Sequence, residues 1–182
     1  MHEEPKLQYK IMQVLNHISW NSPIGLIRLV SVDEKLIMCD WIDSRHHQSK
    51  FDKFKKIIGL NCIESESAVI IKTKTEILEY IDGQRQSFDI PLRFIGTDLQ
   101  QAVADELLKI PYGQTISYSE LAKRINRPTA TRAVANAVGY NPISILIPCH
   151  RIIGANGSLT GYGGGLERKR KFLIIEGMDS LF

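Results

Sequence analysis

The stretch SYSELAKRINRPTATRAVANAVGYN, Ser117 to Asn141, decides the architecture of the second half of this chain. It divides into two short helices around Asn126-Arg127-Pro128, a helix-turn-helix shape whose second helix runs from about Thr129 to Val138. That second helix is lean. Ala130, Ala133, Ala135 and Ala137 leave Arg132 as the one long charged side chain in TATRAVANAVG. A helix that reads the major groove usually aims several polar side chains at base edges. A lean helix with one arginine suits a narrow minor groove, with the arginine inserted. It suits equally a small-residue face packed on a neighbouring helix, and the helix taken alone favours that simpler use.

Downstream lies ILIPCHRIIG, Ile145 to Gly154. A cysteine there serves as buried filler, metal ligand or nucleophile. A free thiol is mostly protonated at neutral pH unless a cation or hydrogen-bond donor lowers its pKa from about 8.5, and His150 and Arg151 are candidates beside Cys149. Neighbours in an extended strand point to opposite sides, so Cys149 and His150 cooperate only if the chain turns, which Pro148 favours. An activating histidine also needs a group to orient its second nitrogen. Glu176, inside the apolar run FLIIEGM, is the best candidate, because a lone buried carboxylate is costly. A triad of Cys149, His150 and Glu176 is the hypothesis. Between its ends, Gly163 to Gly165 expose backbone N–H groups to a flat ligand, with Tyr162 as an aromatic wall, although such a run also serves as a plain surface loop. LERKRKFL reads as a helix with a solvated basic face. Zinc is disfavoured: Cys39 and Cys62 are far apart, no CxxC occurs, and His46-His47 is the only other cluster.

Upstream, Thr97 with Gln100 forms a capping box, and Leu99, Val103, Leu107 and Ile110 make one apolar stripe ended by Pro111-Tyr112-Gly113. The first half reads as a small α/β unit. SPIGLIRLVSV and KLIMCDWI are strands joined by a turn at Asp33-Glu34-Lys35. SAVIIKTKTEILEYIDG is a helix with Gly83 as its C-terminal cap. QSFDIPLRFIG is an extended passage between domains, giving an expected division into 1–91 and 92–182.

The 182 residues, 43% hydrophobic and 24% charged, have an ordinary globular composition. No apolar run approaches the roughly 18 residues of a membrane span. MHEEPKLQYK lacks the apolar stretch of a secretory signal. Three scattered cysteines argue for a reducing compartment, with the cytoplasm as the expected location. From Lys109 onward there are ten Lys/Arg and four Asp/Glu, a net of +6, so with a total of +3 the first 108 residues carry −3. A basic second half suits a polyanionic partner.

In order and spacing, IPYGQTISYSELA, TRAVANAVGYNP, IPCHR, TGYGGG and EG resemble the O6-alkylguanine-DNA alkyltransferases, the methylated-DNA–protein-cysteine methyltransferases. The resemblance is strong over residues 92–178 and weaker over about 10–91, where PIGLI and FDIPL are similar to the family's N-terminal domain. It implies an α/β (α+β) fold: a small N-terminal RNase H-like sheet domain and a mainly helical C-terminal domain with a helix-turn-helix. It implies DNA repair by transfer of the alkyl group of O6-alkylguanine, and less readily O4-alkylthymine, to Cys149. The product is a thioether that nothing in the chain would hydrolyse, so each molecule reacts once. His150 takes the thiol proton through a water, Glu176 holds the imidazole, Asn141 braces the site, and Tyr118 protonates the leaving guanine. Arg132 is the finger that fills the stack when the base is flipped out, with Ala133 allowing the minor-groove approach. Tyr162 and Gly163 line the base pocket, and Ser117 and Arg151 are further DNA or base contacts. The best-studied relative has serine where this chain has Gly163, which removes a side-chain contact and widens the pocket for bulkier groups. No cofactor and no metal are expected, although some relatives carry zinc. The expected partner is double-stranded DNA, with no membrane and no obligate protein partner, the protein acting as a monomer. The alternative function is a lesion-binding protein that flags alkylguanine without transfer.

Overall fold

The computed structural model describes residues 14–58 and 62–179; the N-terminal MHEEPKLQYK lies outside them. The first half is a four-stranded sheet in the order β3-β2-β1-β4. Strands β1 (Leu15–Ser22), β2 (Gly25–Val32) and β3 (Lys35–Trp41) form an antiparallel meander, and β4 (Cys62–Glu64) pairs parallel with β1. The β2–β3 hairpin turns on two residues, Asp33 and Glu34, at φ 47° and 58°. Those left-handed values give the primed turn whose twist matches the flanking strands. SPIGLIRLVSV is not one strand. Ser22 belongs to β1, where its Oγ accepts from Ile24 N–H at 3.3 Å and donates to Gly25 O at 2.7 Å, closing a tight turn at Pro23.

The sheet is covered on both faces, which explains why β3 is buried at every position but Lys35. One face presents Val30, Val32, Ile37 and Met38 to Phe51 and Phe54 of helix α1 (His47–Ile58). The other presents Ile27, Leu29, Leu36, Cys39 and Trp41 to helix α2 (Ala68–Ile81) and to the second half of the chain, in one core reaching Val134 and Phe172. A bulge at Val30/Ser31 lets the two faces keep their own register. Helix α2 ends as its sequence suggests: Gly83 at φ 72° donates to Tyr80 O, and Gln84 N–H to Glu79 O at 2.8 Å. The passage through Pro91 runs along the open edge of β3, with Leu36 N–H bonding Pro91 O and Arg93 N–H bonding Leu36 O.

The second half is mainly helical. Helix α3 (Asp98–Leu107) carries the Thr97/Gln100 capping box and stops at Leu107, before the Pro111-Tyr112-Gly113 turn. Helices α4 (Tyr118–Arg124) and α5 (Thr131–Gly139) are the helix-turn-helix. The break lies at Asn126, φ 58°, whose N–H bonds Lys123 O while Arg127 N–H bonds Ala122 O. Asparagine tolerates this conformation better than other non-glycine residues. Helix α5 starts at Thr131, later than Thr129, because Ala130 N–H closes one more turn on Arg127 O. Strands β5 (Ile116–Ser117) and β6 (Ile152–Ile153) pair in parallel, and α6 (Leu166–Ile175) follows the glycine loop. No helix among the described residues is long and apolar enough to cross a membrane.

The β2–β3 turn generates a prediction. Glu34→Gly removes the left-handed penalty at φ 58° and is expected to stabilise the protein by about 0.5–1 kcal/mol. Urea denaturation of the two proteins measures it; an unchanged or lower midpoint contradicts the account.

Candidate active site

Residues 141–152 are buried without interruption, yet they contain only a single 3-10 turn, Cys149–Arg151, and the start of β6. A buried irregular segment must find partners for its backbone polar groups. Asn141 supplies several. Its Oδ1 accepts from Ile143 N–H at 3.0 Å, and its Nδ2 donates to Ile147 O at 2.9 Å. Strand β3 grips the same loop, with Cys39 N–H on Pro142 O and Ser144 N–H on Cys39 O. Ile145 sits within it at φ 74°, a strained position for a β-branched side chain. The strain persists because the bonds on either side determine the path.

That loop delivers Cys149, 4% exposed, with its Sγ accepting a hydrogen bond from Asn141 Nδ2 at 3.2 Å. Burial pushes the thiol up, while the Asn141 donor and the charges of Lys169 and Lys50 pull it back, so the resting group is a thiol. Lys169 is buried in α6, its Nζ donating to Ile152 O and to Thr160 O at 2.7 Å. Burial lowers its pKa to about 8. The helix LERKRKFL therefore turns one of its cations into the protein rather than exposing a wholly solvated basic face.

The 3-10 turn lets His150 share the site with Cys149. His150 Nε2 lies 2.8 Å from Glu176 Oε1. An ionised carboxylate only accepts, so Nε2 carries the proton. Nδ1 is buried with no hydrogen-bond partner among the described residues. Burial holds the imidazole pKa below its ordinary value, against the pull of Glu176, and keeps it neutral. Burial alone would push Glu176 up as well. Bonds from His150 and Arg151 and their charges win, and its carboxyl falls to about 2. Tyr80 Oη also donates to Glu176 Oε1 at 2.7 Å and lies 3.3 Å from His150 Nε2; Gly113 N–H reaches Oε2 at 3.0 Å.

Arg151, expected at the DNA or base, turns inward. It bonds Glu176 through Nε and Nη2 and Ile110 O through Nη1, because the buried carboxylate needs a cation more than the surface does. Ser117 is occupied as the N-cap of α4, accepting from Glu120 N–H at 3.1 Å. The other expected contacts share one open cleft of about 1030 Å³: Tyr118, Arg132, Ala133, Tyr162 and Gly163 all line it. Arg132 and Ala133 are exposed on its rim in the first turn of α5. Tyr118 Oη donates to Gly161 O at 3.0 Å, and burial, then the nearby Cys149, pushes its pKa to about 12, so it keeps its proton. At Gly164 an added Cβ would overlap the Trp41 ring, whereas at Gly163 its nearest neighbour would be Gly139 O at 3.6 Å. Sequence reasoning missed Tyr80, Lys169 and Lys50. Their signal was weak: a tyrosine and two lysines on helices, ordinary until burial is known. Among the described residues, no three or more His, Cys, Asp or Glu are grouped to hold a metal ion.

The Glu176 cluster sets an acid limit on stability. With a folded pKa near 2 against 4.5 when free, the carboxylate contributes on the order of 3 kcal/mol above pH 4.5, lost as pH falls towards 2. Glu176→Gln is expected to be less stable by that order at pH 7 and to show a flatter decline in acid. Urea titrations at pH 7, 4.5 and 3 decide; parallel declines in both proteins would assign the acid sensitivity elsewhere.

Residues 98–178 match the family model described as 6-O-methylguanine DNA methyltransferase, DNA binding domain. The chain is 40% identical over 166 residues to a methylated-DNA–protein-cysteine methyltransferase of Haemophilus influenzae, covering 91% of this chain and 88% of that protein. To the one from Methanosarcina acetivorans it is 42% identical, over 87% and 96%. The inducible enzyme of Bacillus subtilis is 54% identical, but over 56% of each chain, so this chain spans about half the length of that relative. The structure of Mycobacterium tuberculosis OGT in complex with DNA superposes with a TM-score of 0.74 at 38% identity, covering 89% of this chain and 91% of that one. With the fold, the buried cysteine site and near-full-length matches in agreement, this chain belongs to the methylated-DNA–protein-cysteine methyltransferase family.

Proposed function

We propose that this protein repairs DNA by a single, irreversible transfer of the alkyl group from O6-alkylguanine, and less readily from O4-alkylthymine, to Cys149. The observation that carries the reading is a buried thiol, bonded by Asn141 and beside a neutral His150 that is paired with the ionised Glu176, near a cleft rimmed by the helix-turn-helix. The near-full-length methyltransferase relatives support it.

Displacement at an alkyl carbon calls for a soft, ionised sulfur nucleophile. Proton loss from Cys149 passes to His150 Nδ1 through a water, and Glu176 stabilises the imidazolium that forms. Sγ attacks the alkyl carbon, the carbon–O6 bond breaks, and its electron pair leaves with the guanine. Tyr118 donates its proton to the guanine ring, a use consistent with its raised pKa. The thioether on Cys149 ends the protein's activity.

The O6 atom is unreachable inside a duplex, so the base is flipped out at a cost of roughly a few kcal/mol. The small side chains of α5 bring the helix close to the minor groove, and Arg132 fills the gap in the stack. The flipped base occupies the cleft against Tyr162 and Gly163. The protein acts as a monomer, in the cytoplasm.

A duplex carrying one O6-methylguanine tests this by peptide mass spectrometry. The expected result is one methyl group on the Cys149 peptide, saturating at one per protein molecule. Folded, reduced protein that binds the lesion and gains no mass would instead be a lesion-flagging protein. Cys149→Ala is expected to abolish transfer and retain DNA binding. Arg132→Ala should slow reaction with duplex by about tenfold or more, as loss of one intercalating contact predicts, while reaction with free O6-benzylguanine is spared. Equal slowing of both substrates would remove Arg132 from the flipping step.

A further inference from the structure

One buried ion pair takes no part in the transfer steps above. Lys50 of α1 and Asp40 of β3 are each 1% exposed, with Nζ and Oδ2 2.8 Å apart. Ser44 Oγ gives the same Oδ2 a further bond at 2.9 Å, and His47 Nδ1 stands 4.0 Å from it. Such a pair is a poor source of stability, because apolar replacements of similar volume are often neutral or better. Its second bond is more telling. Lys50 Nζ also donates to the backbone carbonyl of Asn141 at 3.0 Å, and Asn141 Nδ2 in turn donates to Cys149 Sγ.

We propose that Lys50, held by Asp40, is a positioning residue for alkyl transfer: by fixing the Asn141 carbonyl it keeps the Asn141 amide aimed at the Cys149 sulfur. This rests on the reading of Cys149 as the nucleophile, and it makes the N-terminal half part of the reacting centre. An amide bond to sulfur strengthens as the sulfur becomes anionic, so it stabilises the thiolate more than the thiol. Several other groups bear on the same sulfur: Cys39 and Asp40 from β3, Tyr118 from α4, Lys169 from α6 and Tyr162 of the glycine loop, while His47 of α1 faces the Asp40–Lys50 pair itself. Through space, Lys50 and Asp40 act on the thiol in opposite directions. Removing both charges together therefore leaves chiefly the loss of the grip on Asn141.

Lys50→Met alone strands Asp40 as an unpaired buried charge, so it is made beside Lys50→Met/Asp40→Asn, which removes both charges. The variant that keeps a wild-type thermal transition carries the test. Two rates are measured: transfer from the O6-methylguanine duplex, and labelling of the Cys149 peptide by iodoacetamide across pH. Loss of one charge-assisted hydrogen bond predicts transfer slowed about tenfold and a labelling midpoint moved to higher pH by about half a unit or more. A merely structural role would leave that midpoint where it is. Wild-type transfer and an unmoved midpoint in the folded variant overturn the proposal. If wild-type Cys149 accepts no methyl group, the reading of its function fails instead, and the iodoacetamide profile still decides whether Lys50 governs the thiol.

Discussion

The Asn141 side chain is the constraint on which the rest of the structure turns. A loop of twelve buried residues with almost no regular structure would otherwise strand its amides in a dry interior. One carboxamide holds Ile143 and Ile147 and still reaches the sulfur of Cys149. The loop is completed from outside by β3, which is why the two halves are not merely tethered. The strand edge that bonds Pro142 and Ser144 through Cys39 also bonds Pro91 and Arg93 through Leu36. An edge that would otherwise invite pairing with another chain is thereby closed.

Around this frame the electrostatics divide into two compartments. Glu176 gathers His150, Arg151, Tyr80 and the Gly113 amide, so the carboxylate is balanced in charge by Arg151 and well supplied with donors. The thiol has one neutral donor, Asn141, and feels the charges of two buried ammonium groups, Lys169 and Lys50. The first compartment is rigid and committed. The second is poised, with burial favouring the neutral sulfur and the surrounding donors favouring the anion. On the proposed reading, a thiol held this way is protected at rest and ready when a substrate completes the proton path.

Much of this was legible in the sequence where a residue type has few alternatives. The Thr97/Gln100 box, Gly83 and the break at Asn126 read correctly because capping and left-handed positions accept few residues. Glu176 was found because a carboxylate in an apolar run needs a partner. Helix α1 went unread, since HQSKFDKFKKII sends only two phenylalanines to the core and looks polar throughout. Strands β1 and β4 were missed for a related reason. β1 alternates weakly and β4 is three residues long, so both exist by pairing rather than by pattern. Arg151 was placed at the DNA or base with the family resemblance, and only the fold shows it bonded to the buried carboxylate. Lys50 and Tyr80 become informative once helices from the first half are seen against the second.

The glycine loop has a consequence for how the cleft can change over generations. Gly164 is pinned by the indole of Trp41, a side chain of the opposite half's core, so any side chain there is paid for by displacing that core. Its neighbour Gly163 has room for a Cβ, which would meet only Gly139 O, in ordinary contact at 3.6 Å. Variation in the width of the cleft therefore has an asymmetric route. A lineage can trim the cleft at position 163 by adding a side chain and reopen it by reverting, while position 164 stays fixed for as long as the tryptophan does.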